Sequence, residues 1–179
     1  MKKILLSLVV LLLSIQMGKA QFYSASTNVL GLATGSPNAE VSMTINREWS
    51  IHTGLSFNPW KIEDFRIQHF VVRPEIRYWF SESYRGWYLG ANAMYGIFHI
   101  GIPKVMPNKY EGIAAGGGLD FGYAWAISPK WNLEFGIGGS VLWMDTYKSL
   151  CRNCAMRTEE VSGVYVLPTK AALSVVYLF

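Results

Sequence analysis

"HFVVRPEIRYWF", residues 69–80, decides how the chain folds. Its even positions are Phe70, Val72, Pro74, Ile76, Tyr78 and Phe80, whereas His69, Arg73, Glu75 and Arg77 stand at odd ones. Successive side chains of a strand point to opposite faces, so this stretch predicts a strand with one apolar and one charged face. The pattern recurs. "YEGIAAGGGLDFGYAWAI" (110–127) sets Ile113, Leu119, Phe121, Tyr123 and Trp125 against Gly112, Gly116, Gly118, Asp120 and Gly122. "WNLEFGIGGSVLWM" (131–144) and "WSIHTGLSFN" (49–58) alternate in the same way. The bulk sits on the apolar face, while the other face is crowded with Gly, Ala and Ser. Small and polar residues suit a narrow interior, and large aromatics suit an exterior facing lipid.

The expected fold is therefore all-β: an eight-stranded antiparallel up-and-down transmembrane β-barrel. Strands are expected at roughly 24–32, 39–46, 49–58, 68–80, 86–98, 110–127, 131–145 and 163–179. "NRE", "SESYR" and "SPK" are short connections; "PWKIEDFRI", "HIGIPKVMPNK" and "TYKSLCRNCAMRTEEVS" are long, and "ATGSP" is intermediate. Outer-membrane barrels have short periplasmic turns and longer outward loops, which places both termini in the periplasm. Aromatics fall into two groups. Trp49, Tyr78, Phe80, Trp87, Trp125, Trp131, Tyr177 and Phe179 lie beside the short turns or the chain end. Phe57, Trp60, Phe70, Tyr95, Tyr110, Trp143 and Tyr165 lie near the long loops, giving two expected outward girdles.

Residues 1–20 read as a cleaved signal peptide, with Lys2 and Lys3 before an apolar run and Gly18 and Ala20 at the cleavage positions. The single remaining domain is expected over 21–179. The leader holds three of the 16 basic residues and none of the 12 acidic ones, so the net +4 becomes +1. No basic stripe remains to neutralise phosphates, which argues against a nucleic-acid partner.

Alternation puts Glu40, His52, Arg73, Glu75, Arg77, Asp120, Glu134 and Lys170 inside the barrel. Buried charges are costly unless paired, so these eight are expected to form a polar plug in a lumen just wide enough for side chains. The expectation is no conduction and no catalysis. A lipid-modifying enzyme using His52 or His69 with Ser56 is the weaker alternative, because an inward His more often joins a polar network. No G-x-S-x-G or H-E-x-x-H occurs, and no cofactor or metal is expected.

Cys151 and Cys154 form a C-x-x-C in the longest connection, a spacing shared by metal knuckles, redox sites and disulfide loops. The connection carries no His or second Cys pair for zinc and no strand-to-helix context for a redox thiol. Passage through an oxidising periplasm favours a disulfide. The connections at 58–68, 99–109 and 146–162, with Trp60, Tyr110 and Tyr147 at the rim, are the expected contact surface for a protein, glycan or fimbrial partner.

"VRPEIRYWF" (72–80), "YEGIAAGGGLDFGYAW" (110–125), "KWNLEFGIGG" (130–139) and "PTKAALSVVYLF" (168–179), with "TNVL", "FNPW" and "CRNC", resemble an uncharacterised outer-membrane-barrel family. It is the domain of unknown function 3575, of Gram-negative gut and oral bacteria. The resemblance spans nearly all of the mature chain. It implies a barrel at the cell surface and brings no activity with it. Some relatives resemble neighbours of fimbria-assembly genes, which adds a structural role in appendage assembly as an alternative. The final strand, ending on Phe179, resembles the signal read by the outer-membrane barrel assembly machinery.

Overall fold

A computed structural model describes residues 23–62, 65–101, 109–149 and 159–179. The expected leader, at 1–20, and the Cys151–Cys154 pair lie outside the described residues. The strands are β1 (Tyr23–Asn28), β2 (Asn38–Thr44), β3 (Trp49–Asn58), β4 (Lys61–Ile62), β5 (Phe65–Trp79), β6 (Gly86–Gly101), β7 (Lys109–Ala126), β8 (Trp131–Ser149) and β9 (Glu159–Leu178). A short helix, α1 (Val29–Ala33), follows β1. Each strand pairs antiparallel with its neighbours, β3 pairs with β5, and β1 pairs with β9, so eight strands close into a ring. The two-residue β4 only extends the β5 edge.

Alternation is realised as a wall with two faces. Ile137, Phe121 and Leu119 are 50%, 42% and 61% exposed on the outside, while Arg77, Asp120 and Glu75 are buried within. At the short-turn end, ring contacts link Trp49 to Tyr78, Trp87 to Phe121 and Tyr123, and Trp131 to Tyr177. Glycine is required where β7 meets β8: a Cβ on Gly112, Gly116 or Gly118 would run into the facing backbone of β8. That is why the inward face of β7 is nearly bare.

Four expectations need correction. The first strand does not run to residue 32. It ends at Asn28, whose side-chain oxygen caps α1 by accepting from Leu30 N at 3.1 Å. The same amide bonds Ala171 O and Leu173 N, each at 3.1 Å, so it takes the place of a strand at the β1–β9 seam. Second, Tyr165 does not join an outward girdle. The register slips at Gly138/Gly139, where Gly138 faces Lys170 and Gly139 faces Pro168. The extra residue, Thr169, reverses the parity of β9. Tyr165 thus shares the inward row of buried Leu142, and Val164 pairs with outward Trp143.

Third, Tyr110 is no outward rim residue either. It stands opposite Ile100, in the row whose side chains line the interior. Fourth, the long connections are shorter than expected. β8 runs to Ser149 and β9 starts at Glu159, so Tyr147 lies on a strand.

Candidate functional site: the layered barrel interior

The interior is stacked in three layers along the barrel axis. At the short-turn end Trp79, Tyr84, Tyr88 and Ala124 pack into an apolar cluster closed by Leu178. Tyr84 reaches it from the β5–β6 turn through a left-handed backbone, with φ of 65°. Its hydroxyl meets Ser42 Oγ at 2.7 Å, and Asn132 Nδ2 donates to its carbonyl.

Above this lies the charged layer, centred on Arg77. Nε donates to Glu75 Oε1 at 2.6 Å, Nη1 to Glu134 Oε1 at 2.9 Å and Nη2 to Glu40 Oε1 at 2.8 Å. The guanidinium also lies over the Tyr88 ring, 4.7 Å from its centre. A planar fork with five donors is the group suited to joining three carboxylates at once. Lys170 bonds Glu75 Oε2 at 2.8 Å and stands 3.6 Å from Asp120. Arg73 reaches Asp120 Oδ1 at 2.7 Å and Thr169 O at 3.1 Å. His52 is held on both sides, Nδ1 by Glu40 Oε1 and Nε2 by Ser50 Oγ, each at 2.8 Å. All eight charged or titratable residues picked out by alternation therefore meet in one network. Each comes from an inward position of its strand, and the register brings them level.

Above the charged layer the lumen widens into a half-open cavity of about 440 Å³. Ser26, Asn38 and Ser56 line one side of it, and Met94, Phe98, Leu142, Met144 and Leu167 the other. Ser56 Oγ and His69 Nε2 share a hydrogen bond of 3.1 Å in its wall. His52, with both ring nitrogens occupied and 2% exposure, cannot reach the cavity. At the rim Trp60 is exposed, and its Nε1 ties it to Gly35 O at 2.7 Å. Among the described residues no group of three or more metal-ligating side chains converges.

Sequence reading missed the cavity and the Tyr84 plug. The first had a signal: in "NAMYGIFHI" and "SVLWM" the alternation lapses and both faces become apolar. The pattern of the family described as a protein of unknown function (DUF3575) matches residues 5–179. No curated protein and no solved structure matches the chain.

Proposed function

The chain belongs to the DUF3575 family, and from that premise we propose that it is a small outer-membrane barrel that presents its long-loop end to the outside of the cell as a contact surface, without conduction or catalysis. The observation that carries this reading is the reversed polarity of the sheet. Arg77 is 1% exposed inside, while Ile137 and Trp143 stand about half exposed outside. A water-soluble barrel has no reason to bury three bases with four acids and turn its bulk outward.

Dimensions support a membrane setting. Trp131 and Trp143 lie on the outward face of β8, twelve positions apart. A strand rising about 3.3 Å per residue and tilted about 45° covers roughly 28 Å over that interval. The apolar band of outer-membrane barrels is about 25 Å tall. Outer-membrane lipid is thus one partner, and the barrel assembly machinery, reading the strand that ends at Phe179, is another. The aromatic cluster and the charged layer fill the lower lumen, which supports a closed barrel. The Ser56–His69 pair is the one feature that favours a lipid-modifying reading. Among the described residues no carboxylate bonds the second nitrogen of His69, the position that the orienting group of a triad would hold.

Epitope insertion tests the display. A tag placed at 102–108 or 150–158 is expected to be reached by antibody on intact cells, and a tag at 45–48 or 127–130 only after permeabilisation. Labelling of the short turns on intact cells would reverse the topology and end this reading.

A further inference from the structure

The cavity above the charged layer is built in a way that display of a surface does not require. Its walls differ in chemistry. On the β6, β8 and β9 side, Met94, Phe98, Leu142, Met144 and Leu167 face the lumen; on the β1–β3 side the lining is Ser26, Asn28, Asn38 and Ser56. The volume, about 440 Å³, lies within the roughly 300–1,000 Å³ of small-molecule sites. An apolar wall of this extent gains free energy when something apolar lies on it.

The floor beneath that wall is a layer of paired charges. Arg73, Arg77 and Lys170 line the cavity against Glu40 and Glu134, while Asp120 and Glu75 lie behind them. Arg73 stands near Met94 on the neighbouring strand β6, and Lys170 lies three residues along β9 from Leu167, so both cations sit at the foot of the apolar wall. They share Asp120, Lys170 also bonds Glu75 Oε2, and Arg73 Nε has no partner among the described residues. Glu40, the most exposed acid of the layer, pairs across the sheet with Ser26 and Gly54, under the polar wall instead.

We propose that this cup binds a single-chain amphiphile, a long-chain carboxylate, with its head towards Arg73 and Lys170 and its chain along Met94, Leu142 and Met144. The carboxylate adds an acceptor for Arg73, whose Nε has no partner among the described residues, beside Lys170. The alkyl chain covers the apolar wall.

The test uses the full mature chain in lipid nanodiscs, with ¹³C-labelled methionine methyl groups read by NMR. Met94 and Met144 report on the cup, and Met43, which pairs with Ile51 on the outer face, reports on unspecific partitioning. Decanoate is expected to shift the Met94 and Met144 signals saturably, at a concentration about tenfold below that of 1-decanol. Arg73→Gln is expected to erase that difference. Leu142→Trp, which fills the cup and leaves the charged layer intact, is expected to abolish the shift. Parallel, unsaturated shifts of Met43 and Met94 would overturn the proposal. Equal response to decanoate and decanol in the wild-type chain would also overturn it.

Discussion

Arg77→Met is expected to prevent the barrel from reaching its folded state, or to cost at least about 3–5 kcal/mol where it still folds. The reason lies in what remains after substitution. Glu75, Glu134 and Glu40 all direct an oxygen at the guanidinium, and Glu75 and Glu134 are almost wholly buried. Removing one partner of a buried ion pair leaves the other as an uncompensated charge, and here three carboxylates lose the same partner. Of the three, only Glu75 keeps a lysine, Lys170, and Glu40 keeps the His52 ring. Urea titration in lipid vesicles, followed by tryptophan fluorescence, measures the loss. Adding Glu40→Gln and Glu134→Gln to Arg77→Met should restore most of it, because neutral amides remove the unpaired charge while Glu75 keeps Lys170. A single variant within about 1 kcal/mol of the wild type would show that the charged layer does not hold the barrel together.

The second large effect lies on the opposite face of the wall. Ile137 stands midway between Trp131 and Trp143 on β8 and points outward, half exposed. In a bilayer that position is the midplane, where an arginine on the lipid face of a barrel costs about 2–4 kcal/mol. Ile127→Arg, just beyond the short-turn girdle at 68% exposure, should cost only about 0–1 kcal/mol. A barrel bathed in water predicts otherwise: both substitutions would fall within about 0.5 kcal/mol of zero. The ratio of the two losses therefore separates lipid from water as the outer solvent, whatever the total stability of the barrel.

Much of this was legible in the sequence, for a specific reason. Strand β3 was expected at 49–58 and is found at Trp49–Asn58, because its alternation is unbroken and a turn precedes it. The eight charged residues were placed together from parity alone, since closing a barrel brings inward positions of distant strands level. The failures cluster where alternation carries no information. "TNVLGLA" alternates tolerably as a strand, yet Asn28 supplies the cap that starts α1, and its amide takes the place of the next ladder bond. Tyr84 sits in a turn, where period-2 reasoning says nothing about direction. The Gly138–Gly139 pair opposite Pro168 was the visible mark of a bulge, and without it Tyr165 was given the wrong face. The cup was overlooked because its apolar lining stands on strands that are apolar on both sides, a pattern that hides which face is which.

The claim on which the rest depends is that the outward apolar wall lies in an outer membrane. Washing isolated outer membranes with alkaline carbonate, and then with urea, measures it directly. The account predicts that the mature chain stays with the membrane pellet through both washes. Release of the folded protein into the supernatant by either wash would contradict it.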